Sequence, residues 1–356
     1  MEKNGKATIS DVAKYAGVSK ATVSNYLNHR FNMMKPETRE MIEEAVRALD
    51  YVPSISARRL SAKAKSKTIC LVIPRNLSSL LSTMYYPMVF DAIGHAAEEY
   101  GYSTLMYVHN PDDTGDSISY LIGIAQSFVD GFIIFDLTQE TRYFKDLEKN
   151  EIPYVCVGEI KDYKDYHHVA TDHAQGIKIA IDHLVDLGHR RIALVLEGNG
   201  SVVETTRMAA YRENLRENGI EFRREFCLLY SEDQVPDKQV IDDLKQLFSD
   251  SMGPTAIIIS SNLLFYLKRA MREMNLYTPD DISVIAIEYY SKYSLTYAGF
   301  ENKEYTRIEA VVSVVAREAF CGLLDLIDGK HEGYVDYLEP VNLTEGKTTG
   351  PCRDTD

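Results

Sequence analysis

Between residues 8 and 50 apolar positions recur three and four apart, whereas beyond residue 67 short unbroken apolar runs alternate with amphipathic stretches. The first spacing predicts helices and the second predicts buried strands between helices. Thr8 with Asp11 three residues on reads as a capping pair that starts a first helix, and Ile9, Val12, Ala13 and Ala16 form its apolar face. Gly17 breaks that helix, and Ser19 can cap a second whose apolar positions are Val23, Tyr26 and Leu27. A third helix has Pro36 in its first turn, Met41, Ile42, Ala45, Val46 and Leu49 as its core stripe, and ends before Pro53. Further along, "TICLVIP", "YSTLMYVH", "GFIIFDL", "PYVCVGE", "RIALVLEG", "AIIISS" and "SVIAIEYY" are separated by amphipathic segments. Such alternation predicts parallel sheets covered by helices on both faces, and its length suits two sheets rather than one.

The first two helices can bury their apolar faces on one another only through a tight turn. Ala13 permits close contact, Gly17 permits the turn, and Val18 and Val23 fill the angle. Lys20, Ala21, Ser24 and Asn25 then point outward near the start of the second helix, where a helix-turn-helix presents base-reading side chains. Taken alone, the pattern fits an ordinary amphipathic helix pair equally well.

Charge separates these two options. The chain of 356 residues carries a formal net charge of -14, but residues 1–67 hold 13 Lys and Arg against 7 Asp and Glu, leaving the remainder at -20. A basic head of +6 therefore precedes a strongly acidic body. Phosphates attract the head and repel the body. No apolar run approaches the roughly 20 residues that span a bilayer, and "MEKNGKATIS" lacks the apolar stretch of a secretory signal, so a cytoplasmic protein is expected. Five scattered cysteines, Cys70, Cys156, Cys227, Cys321 and Cys352, fit reduced thiols better than a disulfide or zinc framework.

Residues 8–60 resemble the head of the lactose/galactose repressor (LacI/GalR) family, whose members begin T-I-x-D-V-A-x-x-A-G-V-S-x-x-T-V-S. The likeness includes Thr22, Val23 and Ser24, the "ETR" of Glu37 to Arg39, and "YVPSISARRL" at 51–60, similar to the family hinge Y-x-P-N-x-x-A-R-x-L. It implies a DNA-contacting set of Thr8, Ser19, Lys20, Ala21, Thr22, Ser24, Asn25, Asn28, Tyr51, Ser54, Ala57, Arg58 and Leu60, with Leu60 as the wedge that kinks the operator from the minor groove. Two positions depart from the family. Asn25 stands where Arg is frequent, and an amide pairs with adenine where Arg favours guanine. Ser54 replaces the hinge asparagine.

"FVDGFIIF", "HLVDLGHRRIALV" and "PDDISVIAIE" are similar to further family segments, so the resemblance runs through the body. It implies an α/β chain: a small all-α helix-turn-helix head (1–53), a hinge helix or linker (54–67), and a two-lobed periplasmic-binding-protein-like (type I) body with two parallel sheets. Lobe 1 would comprise 68–165 and 294–328 and lobe 2 would comprise 166–293 and 329–356, with crossings near 165, 293 and 328. The implied effector cleft contains Tyr85, Tyr86, Glu159, Asp172, Arg207, Asn262 and Glu288. Arginine and amide groups suit hydroxyls, and tyrosine rings stack on sugar faces. Here too the chain departs from the family: Leu263 and Glu288 stand where Asp is frequent, and Glu159 where Arg is.

Other signals carry less. "EGNGS" at 197–201 has G-x-G after a strand but lacks a third glycine, with Glu204 where close approach would continue, which argues against a nucleotide. His167, His168 and His173 lack the spacing of a zinc site, so surface or lobe-crossing roles are expected and no metal or other cofactor is. No G-x-S-x-G elbow or catalytic Ser/His/Asp set is present, so no enzyme is expected. The expected protein is a homodimeric transcriptional repressor of carbohydrate-utilisation genes, binding a near-palindromic double-stranded operator and answering to a sugar between the lobes. The alternatives are control by a protein co-regulator, a sugar-binding protein without DNA function, and a sugar-modifying enzyme.

Overall fold

A computed structural model describes residues 7–27, 30–51, 65–74, 85–109, 121–125, 128–135, 142–160, 165–197, 202–230, 237–289 and 305–353. The chain divides into two compact units, one of residues 1–66 and 123–129 and the other of 67–122 and 130–356.

The head contains α1 (Ile9–Tyr15), α2 (Lys20–Leu27) and α3 (Pro36–Ala48). Thr8 and Asp11 form the expected capping box: the Thr8 hydroxyl donates to Asp11 Oδ2 at 2.6 Å and the Thr8 N–H donates to the same oxygen at 2.9 Å. Gly17 turns the chain with φ at +64°, a conformation only glycine adopts cheaply. Val12, Ala13, Ala16, Val23, Ile42, Ala45 and Tyr51 make the core, with Val18, Val46 and Leu49 packed against it. Met41 leaves the expected stripe and is 48% exposed, because the apolar line that α1 and α2 cover on α3 runs through Ile42 and Ala45.

In the body, in chain order, are β1 (Thr68–Pro74), α4 (Tyr85–Glu99), β2 (Ser103–His109), β3 (Gly131–Phe135), α5 (Arg142–Lys149), β4 (Tyr154–Val157), β5 (His168–Thr171) and α6 (His173–Asp186). They are followed by β6 (Ile192–Glu197), α7 (Val202–Glu217), β7 (Cys227–Tyr230), α8 (Asp237–Ser249), β8 (Ala256–Ser260) and α9 (Leu264–Met274). The last elements are β9 (Ser283–Tyr289), β10 (Thr306–Ala310), α10 (Val312–Ile327), β11 (Asp336–Glu339) and β12 (Asn342–Thr344). Among the described residues two six-stranded sheets result, ordered β11-β5-β4-β3-β1-β2 and β12-β10-β9-β8-β6-β7. All neighbours are parallel except β10 and β12.

The central strands β3, β4, β6 and β8 are buried almost throughout because both faces of each sheet are covered there. In the second sheet Val195, Ile257, Ile259 and Val284 pack with Leu244 and Leu267 of α8 and α9, while Leu194, Ile258, Ile285 and Ile308 pack with Ile177, Ile181 and Tyr211 of α6 and α7. In the first, Ile69, Leu71 and Ile73 meet Val89 and Ile93 of α4 and Phe320 and Leu323 of α10. Cys70, Cys156 and Cys227 are buried free thiols, and burial pushes Cys70 up to about 12.

Sheet membership moves the lobe crossings from where the sequence placed them. His168–Thr171 pairs with β4 and β11 in the first sheet, so the chain crosses at residue 172 rather than near 165. β10 still belongs to the second sheet and α10 already packs in the first lobe's core, which puts the next crossing at 311 rather than 293. β11 returns to the first sheet and β12 to the second, so the last lies at 340–341 rather than 328. Each polar loop chosen from the sequence precedes one more short strand.

Candidate functional site

The residues expected to read DNA lie along the start of α2. Ser19 Oγ accepts the Thr22 N–H at 3.1 Å and lies 2.8 Å from the Thr22 hydroxyl, so both side chains secure the start of α2. Lys20 and Ala21 are exposed on the first turn, and Ser24 and Asn25 are half-buried one turn on. Thr8 is exposed at its cap. Tyr51 departs from the expected surface set: only 8% exposed, it packs in the core of the three helices. Asn28, Ser54, Ala57, Arg58 and Leu60 lie outside the described residues.

In the body a pocket is lined by Thr171, Asp172, His173, Gly176, Ile177, Arg207, Ile287, Ile308, Ala310 and Val341. These residues include the crossing segment at 172 and flank those at 311 and 340–341, and the carboxyl ends of β5, β9 and β10 open onto it. Asp172 caps α6, its Oδ1 accepting the Gln175 N–H at 2.8 Å. Arg207 reaches from α7 to within 3.3 Å of Nδ1 of His173. A guanidinium can only donate, so Nδ1 accepts and the imidazole proton sits on Nε2. Burial, reinforced by the Arg207 charge, holds His173 well below the ordinary histidine range and keeps the ring neutral.

The other implied cleft residues are spread more widely. Asn262 follows β8 and donates through Nδ2 to Oε2 of Glu197 at 3.1 Å. Glu159, just past β4, has its carboxyl pushed up by burial, with the His168 charge opposing and those of Asp172 and Asp336 adding. Tyr86 is a further correction: at 5% exposure it belongs to the first lobe's core, edge-on to Tyr85 at 5.2 Å and to Phe135 at 6.3 Å. Tyr85 is half-buried against the same core. Glu288 is paired in register with Glu309, and its side chain lies outside the described residues.

Sequence reasoning did not place His173 on the pocket lining, nor join Glu197 to Asn262. His173 had a usable signal in its place directly after Asp172, and Glu197 in being the first charge to end an apolar strand. The other two histidines of the group are absorbed locally: His167 Nδ1 accepts the Val335 N–H at 3.0 Å, and His168 stacks on Tyr166 at 4.7 Å. Among the described residues no group of three or more His, Cys, Asp and Glu could hold a metal, and no helix is long and apolar enough to cross a membrane.

Comparison with known proteins covers both units. Residues 8–54 match the family described as bacterial regulatory proteins, lacI family, and residues 181–349 match the periplasmic binding protein-like domain. The chain is 30% identical over 356 residues to the HTH-type transcriptional repressor PurR of Erwinia tasmaniensis, covering 98% of this chain and 99% of that one. Among solved structures, the lac repressor dimer bound to operator and the anti-inducer ONPF superposes with a TM-score of 0.77 at 24% identity, covering 97% of this chain and all (100%) of the other. A CelR–cellobiose complex superposes with a TM-score of 0.66 at 24% identity over 96% of this chain and 99% of that one.

Proposed function

The chain belongs to the LacI family of bacterial regulatory proteins, whose members are DNA-binding transcriptional regulators, and we propose that it represses carbohydrate-utilisation genes under control of a sugar or sugar derivative held between the lobes. It acts in the cytoplasm as a homodimer and catalyses no reaction. Two heads enter successive major grooves of a near-palindromic operator, reading it with Lys20, Ala21, Ser24 and Asn25, while Leu60 of each hinge wedges into the minor groove between them.

The observation that carries this reading is the pocket at the lobe crossings. The cavity is about 10 Å³ in this structure, and a ligand that opened it against Asp172, Arg207, Ala310 and Val341 would touch or flank all three segments that connect the lobes. Any difference in its affinity for two lobe angles becomes a shift between them, and the hinge transmits that shift to the heads. Because coupling is reciprocal, operator weakens an inducer by the factor by which the inducer weakens operator binding.

Fluorescence anisotropy with labelled operator, with and without Leu60→Ala, tests the DNA half. Operator affinity falls while effector binding persists, and an unchanged operator affinity refutes the wedge. Thermal-shift screening tests the effector half. If no sugar or sugar phosphate raises the melting temperature while a partner protein does, control passes to a protein co-regulator, the second reading that the family allows.

A further inference from the structure

The partial glycine fingerprint "EGNGS" opens with Glu197, the last residue of β6. A strand that is apolar for five residues and then ends on a carboxylate places that group at the carboxyl edge of the second sheet, the side on which open parallel sheets bind ligands. There it is held: the Glu197 N–H donates to Ser260 Oγ at 3.4 Å, and its Oε2 accepts from Asn262, which stands beyond the neighbouring strand β8.

We propose that Glu197 is the positioning residue that fixes which way the Asn262 amide faces, and thereby makes the effector site select an uncharged, hydroxyl-bearing ligand over an anionic one. This inference rests on the effector reading above and names the ligand class.

An asparagine amide has a donor end and an acceptor end, which exchange by a half-turn about the last side-chain bond. An ionised carboxylate only accepts, so the end that meets Glu197 must be the NH2 group. The carbonyl oxygen of Asn262 is thereby turned away from Glu197, on an exposed side chain at the carboxyl edge. A ligand engaging it must donate, as a hydroxyl does and as a phosphate or carboxylate at neutral pH does not. The surroundings act in the same sense. Tyr266 of α9 donates to Asp237 Oδ1 at 2.8 Å. Burial, that hydrogen bond and the charges of Asp237 and Glu197 raise its phenol above the ordinary tyrosine value, so it stays protonated as the donor to Asp237. Phe265, 57% exposed and edge-on to Tyr266 at 5.7 Å, adds an apolar surface of the kind on which the C–H face of a sugar ring stacks.

A glutamine at 197 would accept or donate, so the Asn262 amide could take either orientation. The test is isothermal titration of the full-length protein, as wild type, Glu197→Gln, Asn262→Ala and the double variant, with uncharged mono- and disaccharides and their 6-phosphates. Wild type is expected to bind an uncharged sugar at least tenfold more tightly than its phosphate. Glu197→Gln is expected to lose at least tenfold of that selectivity with its unliganded melting temperature unchanged. Because Glu197 acts through Asn262, the double variant should select no worse than Asn262→Ala alone, a non-additivity that a merely structural role would not produce. Wild-type selectivity in Glu197→Gln, or additive losses in the double variant, overturns the positioning role. A phosphate as the tightest wild-type ligand overturns the inference and leaves the small-effector reading standing. Binding of no sugar, with stabilisation by a partner protein instead, overturns both.

Discussion

Arg207 and His173 meet at 3.3 Å across α7 and α6, with the guanidinium donating to an imidazole that burial keeps neutral. This contact sets Arg207 along the wall of the pocket at the lobe crossings. Arg207→Ala should remove the effector-induced rise in melting temperature while leaving operator affinity within about twofold, since the head has its own core. His173→Gln, which offers an amide oxygen to the guanidinium, should keep most of the effector response, whereas His173→Leu should lose it. Thermal shift with the best ligand reads all three variants.

In the head, the residues that make the fold differ from those proposed to read DNA. Ser19 secures the start of α2, and removing such a cap costs about 1 kcal/mol. Ser19→Ala should therefore lower stability and weaken binding to every operator alike. Lys20→Ala and Asn25→Ala should instead change the rank order of operators, as the proposed base-reading role requires. Competition binding against a randomised operator library separates the two behaviours. A uniform loss for Asn25→Ala would remove it from the reading set.

How much of this was legible in the sequence depended on how local each signal was. Thr8, Asp11, Gly17 and Ser19 act within three residues of themselves, and all four stand in the structure as read. The crossings were misplaced because "HVAT" is a four-residue strand opening on histidine, held between β4 and β11, the latter some 168 residues downstream. Tyr86 was assigned to the cleft although its spacing with Val89, Ile93 and Ala97 already marks the buried face of α4. Glu197 and Asn262 are 65 residues apart, and no local pattern joins them.

Stability should fall on mild acidification. Burial, with the His331 charge adding, lowers His167 to about 4, and burial also lowers His189, so the native state resists protons that the unfolded chain takes up at the ordinary histidine value of about 6.5. The contribution of His167 is thus complete above pH about 6.5 and is lost as pH falls toward about 4. A fully shielded group shifted this far contributes about 3 kcal/mol, and half-buried His167 less. Glu159, held above its usual range by burial, opposes this trend at the acid end. Urea midpoints at pH 7.5 and 5 should differ, and His167→Gln should narrow the gap. An equal gap in the variant would assign the acid sensitivity elsewhere.

Gly176 sits on the second turn of α6, facing the pocket, where a Cβ would lie 3.1 Å from Ile308 Cγ2 and 3.3 Å from Val341 Cγ2. Both neighbours stand at lobe crossings, Ile308 two residues before Ala310 and Val341 at the last one. Gly176→Ala adds a methyl group on the pocket lining, against Ile308 and Val341. The two branched side chains must give way by a few tenths of an ångström, an overpacking that costs about 1–3 kcal/mol. Because the strain falls on the crossing segments, the substitution should cut effector affinity at least tenfold while operator binding stays intact. Calorimetry with the best sugar and anisotropy with the operator measure the two effects separately. Unchanged effector affinity in a folded Gly176→Ala protein would mean that the ligand binds away from this pocket.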